Sequence, residues 1–207
     1  ESNGFKIEDT FINELKTKFK DISISKTYSG EGIVVSNQNA KGIIIKGVDN
    51  SNSEGFEILK KNIKNGSVAE FRKKTVLIGA ELAFDLNLKV GDKINLMSSA
   101  FVATPFGGLP KQESLTIAGV FNTGFYEFDH NFVFLNLPDA LSLFDKEIYE
   151  QNLEIYLNNP MKADDFKNKI QNLKPNFFVY SWSDLNKSFF SALKVERNVM
   201  FIILSLI

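Results

Sequence analysis

Ser98-Ser99-Ala100-Phe101-Val102-Ala103-Thr104-Pro105-Phe106-Gly107-Gly108-Leu109-Pro110-Lys111-Gln112-Glu113 is the stretch on which the reading of this chain turns. It lies between two strand-like runs, residues 93–97 and 115–121, so the backbone goes out, turns and comes back. Hairpin connections usually need about two to five residues, and structureless loops beyond about 12 usually have a function. Pro105 and Pro110 bracket Gly107-Gly108. Each proline fixes φ near −65° and withholds a donor, while the glycines permit positive φ at the reversal. Phe106 and Leu109 flank those glycines, so large apolar side chains stand where a loop tip is normally wet. A stiff arm with an apolar tip fits docking onto a partner. The same residues fit an irregular loop folded back on its own domain equally well.

Working outward, the 207 residues suffice for one large domain or two small ones. Lys+Arg of 24 against Asp+Glu of 25 leaves a net charge of −1, with no electrostatic pull toward nucleic acid. Twenty phenylalanines suit a well-filled core or apolar contact surfaces. The absence of cysteine excludes disulfides, thiolate metal sites and cysteine nucleophiles. The chain starts without methionine, at Glu1-Ser2-Asn3, as a segment of a longer protein would. It stops within Val199-Met200-Phe201-Ile202-Ile203-Leu204-Ser205-Leu206-Ile207, which reads as a transmembrane helix cut short.

Periodicity places the elements. Phe11, Ile12, Leu15 and Phe19 make residues 8–20 an amphipathic helix. Ile22 and Ile24 alternate with serines as a half-buried strand, and residues 33–35 and 42–45 form a β-hairpin around Asn37-Gln38-Asn39. Residues 56–63 read as a short helix stopped by Asn65-Gly66. A strand at 75–78 runs through Gly79 into a helix at 80–86. Residues 122–131 read as a polar and aromatic connection, 132–137 as a buried strand and 138–144 as a helix. Strands at 153–157 and 177–180 flank a helix at 163–173. Ser183 then caps a helix that continues into the terminal apolar run. The mixture of hairpins and βα units predicts an α+β fold.

Catalytic signals are sparse. One histidine, His130, excludes His-pair zinc motifs, and it sits in a predicted loop beside Asp129. No G-x-S-x-G elbow occurs. Gly107-Gly108-Leu109-Pro110-Lys111 has proline before the lysine and no helix behind it, unlike a phosphate loop. Nothing here calls for an enzyme, a cofactor or a metal.

Several motifs do resemble a known family. Asn3-Gly4-Phe5, Thr104-Pro105-Phe106-Gly107-Gly108-Leu109-Pro110, Gly124-Phe125-Tyr126-Glu127-Phe128-Asp129, and the run from Ser191 through Leu204 resemble the LolC/LolE family. Those proteins are transmembrane subunits of the lipoprotein-releasing ABC transporter. Val76-Leu77-Ile78-Gly79 and Val90-Gly91-Asp92 are shared with the wider MacB-like group. The resemblance implies a MacB-like periplasmic domain, with a mixed α/β part near the membrane and a β-rich part carrying a protruding hairpin. Residues 1–198 would be the periplasmic domain, roughly 31–121 its β-rich insertion, 98–113 the hook hairpin, and 199–207 the start of a transmembrane helix.

By the same resemblance, the domain faces the periplasm from the bacterial inner membrane. It works with a LolD-type ATPase as a separate subunit, a second membrane subunit (LolE-like or an identical copy), a lipoprotein substrate and the LolA-type periplasmic chaperone. The hook that enters the chaperone maps onto Phe101, Val102, Thr104, Pro105, Phe106, Gly107, Gly108, Leu109 and Pro110. A polar pad at its base maps onto Asn95, Lys111 and Gln112, Glu113 standing where a basic residue is expected. Two other readings stay open: a mechanotransmission domain of a MacB-like efflux transporter that docks an adaptor protein, and a hydrolase using Asp129 and His130.

Overall fold

The structure is a computed structural model that describes residues 9–36, 39–49, 54–105 and 107–206. The elements, in chain order, are α1 (Asp9–Lys18), β1 (Ile22–Ser36), β2 (Asn39–Val48), α2 (Glu54–Lys61), β3 (Ile63–Gly66), β4 (Thr75–Gly79) and α3 (Ala80–Asp85). There follow β5 (Lys93–Thr104), β6 (Gly107–Phe121), α4 (Tyr126–Asn131), β7 (Phe132–Asn136), α5 (Leu137–Leu143) and β8 (Asn152–Leu157). The chain ends with α6 (Ala163–Leu173), α7 (Trp182–Leu185) and α8 (Lys187–Leu206). The fold is α+β, as expected. It divides into one compact unit through Tyr156 and a second from Leu157 onward.

In the first unit the strands follow the order β2-β7-β4-β6-β5-β1-β8, and β1 also pairs with β2. That extra pairing closes a ring: β1–β2 antiparallel, β2–β7 parallel, β7–β4 antiparallel, β4–β6 parallel, then β6–β5 and β5–β1 antiparallel. Closure removes open sheet edges from the ring. Alternate residues point inward, as the two-residue period of a strand requires. Val34, Ile45, Val76, Ile78, Leu96, Ile117, Val133 and Leu135 meet there, joined by Leu82 of α3 and Leu143 of α5. A second cluster lies outside the ring, where Leu77, Phe121 and Phe134 pack with Phe56 and Leu59 of α2. Strands β4 and β7 are therefore apolar on both faces.

Gly79 ends β4 and begins α3. A Cβ built there would lie 1.9 Å from the backbone carbonyl oxygen of Asp129, so α4 is seated directly on this glycine. The carboxylate of Asp129, 2% exposed, in turn accepts from the backbone N–H of Thr123 at 3.0 Å and the Thr123 hydroxyl at 2.8 Å. These contacts give the Gly124–Asp129 motif a structural role. They also correct the sequence reading of this segment as a connection, since Tyr126–Asn131 is helical.

Other local expectations change as well. Asn65 and Gly66 belong to β3, which pairs with β6, instead of ending a helix. Residues 177–180 form no strand, and Phe178 and Tyr180 are exposed. In the second unit the helical cap is Ser181, with a reciprocal bond from Asp184, and Asn186 interrupts the helix between α7 and α8. Lys167 holds Asp184 at 2.8 Å, and together with the Ser181 backbone amide it lowers that carboxyl to about 2. The apolar residues from Val199 to Leu204 of α8 are exposed. Among the described residues no helix is long and apolar enough to cross a membrane. Residues 1–8, with Asn3-Gly4-Phe5, lie outside the described residues.

Candidate docking hairpin

Strands β5 and β6 do not stop where the sequence pattern fades. Their ladder runs from Lys93↔Thr116 to Thr104↔Gly107, so residues 98–113 are a long hairpin and not an irregular loop. Pro105 cannot take the positive φ that the commonest tight hairpin turns require at their first central position. Positive φ appears instead at Gly107, at +116°. Phe106 lies outside the described residues, as does the side chain of Thr104.

The ladder breaks once. Pairing passes from Met97↔Gln112 to Phe101↔Pro110, which leaves Ser98, Ser99 and Ala100 opposite Lys111 as a bulge. Ser98 is buried there. Its hydroxyl donates to the carbonyl oxygen of Leu143 at 2.6 Å and accepts from the Ala100 backbone N–H at 3.2 Å. On the returning strand Lys111 pairs with Asp145 at 2.9 Å, and that bond holds the Asp145 carboxyl below the usual carboxylate range. Both strands are thus fastened to the same corner after α5. Sequence reasoning missed this corner, because nothing local to residues 143–145 announces a partner more than 30 positions away.

Beyond the bulge the hairpin has no strand beside it among the described residues. Opposed residues share a face, so Phe101, Ala103, Gly108 and Pro110 form one side and Val102 and Leu109 belong to the other. The Phe101 side chain lies across Gly108, 3.5 Å from where a Cβ would stand. Phe101, Val102 and Leu109 are 66%, 47% and 59% exposed. Leaving such side chains in water forgoes about 1.5–3 kcal/mol each relative to full burial. An isolated two-stranded hairpin is marginal in water, so the clamp at the base is what sustains this one. Both faces of the tip are available to a surrounding partner.

The residues expected as a pad separate. Asn95 pairs with Ser114 and Gln112 with Met97, which puts both amides on the exposed face of the ladder. Lys111 is on the alternate face with its ammonium committed to Asp145. Glu113 lies opposite fully buried Leu96; its own burial, then the nearby charge of Asp139, push its carboxyl up.

His130 proves to be helical and tied. Its Nε2 is 2.8 Å from Asp85 Oδ2 and also meets the Lys41 ammonium, its Nδ1 lies 3.1 Å from Asn131 Oδ1, and its ring stacks on Tyr126. Among the described residues there is no group of side chains suited to hold a metal ion.

Comparison with known proteins now adds to this geometry. No family model matches the chain. The lipoprotein-releasing system transmembrane protein LolC of Xylella fastidiosa (strain 9a5c) is 27% identical over 167 residues, 79% of this chain and 40% of that protein. LolC of Neisseria meningitidis serogroup B is 31% identical over 136 residues, 64% of this chain and 32% of that protein. The chain therefore spans less than half the length of these relatives. Among solved structures, the periplasmic region of MacB from Actinobacillus actinomycetemcomitans superposes with a TM-score of 0.55 at 14% identity, covering 92% of this chain and 86% of that one. In sequence the chain resembles LolC proteins over most of its length; in fold it matches a MacB-type periplasmic region.

Proposed function

We propose that this chain, a relative of LolC with the fold of a MacB-type periplasmic region, is the periplasmic domain of a lipoprotein-releasing ABC transporter's membrane subunit. On this reading it sits at the inner membrane and performs no catalysis itself. ATP is hydrolysed by a separate cytoplasmic LolD-type subunit, and a second membrane subunit, LolE-like or identical, completes the transporter. Lipoproteins leaving the membrane pass to a soluble LolA-type chaperone that docks on the β5–β6 hairpin.

One observation carries the docking role: an apolar hairpin tip, exposed on both faces, is held out from a closed ring by a clamp at its base. The ordering cost of the arm is met before any partner arrives, which favours tight association from a small contact area. Phe101 and Leu109 are the anchors, and Asn95 and Gln112 supply polar contacts beside the base.

The test is calorimetric titration of a LolA-type chaperone into the chain and into a Phe101→Ser, Leu109→Ser double variant. Binding should fall at least ~100-fold, since two buried anchors are worth about 1.5–3 kcal/mol each. Unchanged affinity sinks the docking role. An efflux-type adaptor protein titrated in parallel separates the MacB-like alternative, which requires the adaptor to bind and the chaperone not to.

A further inference from the structure

A groove lies on the outer face of the ring, within the first unit and away from the hairpin tip. Ile45 points into the ring, so Ile44, Lys46 and Val48 alternate with it and face outward on β2. With Phe132 and Phe134 of β7, Leu59 of α2 and Phe128 of α4, they surround a volume of about 710 Å³. Small-molecule sites typically occupy about 300–1,000 Å³, mostly apolar with a few polar groups set among them.

Two such polar groups are present. Ser25 and Thr27 lie on the same face of β1, line the groove and are each 2% exposed. Neither hydroxyl makes a hydrogen bond to a described residue. Both hydroxyls open onto the groove, whose wall is mainly apolar, where the polar group of a ligand can meet them.

The rim sets the charge. Lys46 is neutralised by Glu154 at 2.6 Å, and Glu154 also accepts from the Tyr156 hydroxyl at 2.8 Å. Glu127 accepts from the Asn131 amide at 3.2 Å and has no cation against it among the described residues, so the charged groups described on the rim, Lys46, Glu154 and Glu127, are negative in sum. Phe128 and Phe132 stack at 4.5 Å on one wall, presenting π-faces that tolerate a cation and repel an anion.

We propose that this groove binds an apolar small molecule that carries a hydrogen-bonding head and no negative charge. The head meets the Ser25 and Thr27 hydroxyls, and the apolar body lies along the phenylalanines. The site is independent of the docking role, because none of its residues belongs to the hairpin.

Three probes with one chain length test it: dodecylammonium, dodecyl maltoside and dodecanoate, each below its micelle concentration, titrated calorimetrically into the 207-residue chain. The first two should saturate a single site, and dodecanoate should bind at least ~10-fold more weakly. Ile44→Trp, a half-exposed position outside the ring core, should fill the groove and abolish saturable binding. Thr27→Val should leave the melting temperature equal or higher, since it removes an unpartnered hydroxyl, yet weaken the maltoside about 10-fold. Equal affinity for dodecanoate overturns the proposal. So does an absence of saturable binding, or titrations left unchanged by both substitutions, which would place the probes on the exposed apolar run of α8.

Discussion

One pair of strands, β5 and β6, inhabits two environments. Below the bulge they are staves of the ring, flanked by β1 and β4, with Leu96 and Leu115 0% and 1% exposed. Above it they are a free ribbon, with Leu109 59% exposed. Both stretches carry large apolar side chains, and in both the two strands are paired with each other. Burial is decided by what lies beside the pair, not by the side chains themselves.

The sharpest way to break this comparison is to place a side chain on one glycine of the ring, Gly79 of β4, and on one of the hairpin tip, Gly107 of β6. Gly79→Val drives a branched side chain into the Asp129 backbone and should cost about 4 kcal/mol or more in urea unfolding. Gly107→Ala meets nothing within 4 Å among the described residues, and its φ of +116° should penalise it by roughly 1 kcal/mol. Equal losses would mean the tip is packed. The leucines give the next contrast. Leu96→Ala should cost about 3 kcal/mol and Leu109→Ala less than about 0.5 kcal/mol, while only the second impairs partner binding.

Ser98→Ala probes the boundary between the two environments. Losing the bond to Leu143 should cost about 1–2 kcal/mol in the same unfolding measurement. It should also increase amide exchange at residues 101–104 beyond that of the ring strands. The smallest effect concerns Glu113. Its carboxyl is raised in the folded state, so the folded chain binds that proton more tightly than the unfolded chain does. Stability from this group is therefore present at low pH and declines as pH rises through the raised value. Glu113→Gln should gain roughly 0.3 kcal/mol at pH 7, the effect being muted by solvent screening, and the difference should vanish in acid.

Much of this was legible beforehand because it is local. Alternation marked the ring strands, and the Phe11, Ile12, Leu15 spacing marked α1, whose three residues are buried. The hairpin was legible as an arm, though its prolines read as loop signals. A proline is tolerated on an edge strand, and Pro110 occupies β6 opposite Phe101. Helix α4, at six residues, is too short to display a helical period. Ring closure depends on the β1–β2 hairpin, which is local, also meeting β5 on one side and β7 on the other, pairings over distances that no local pattern encodes. The clamp at Leu143 and Asp145 was hidden for the same reason. The groove hydroxyls looked like the polar half of an ordinary amphipathic strand.

The bulge at the hairpin's base has a further consequence, one of parity. Between Met97 and Phe101 the outgoing strand spends three residues, where the returning strand, between Gln112 and Pro110, spends one. The surplus is even, so the alternation of side chains resumes in phase beyond it. Insertion or loss of a single residue there would make Phe101 and Val102 exchange faces while Leu109 and Pro110 kept theirs. The arm can therefore change length only in steps of two, and any relative that presents the same tip should count its residues by the same rule.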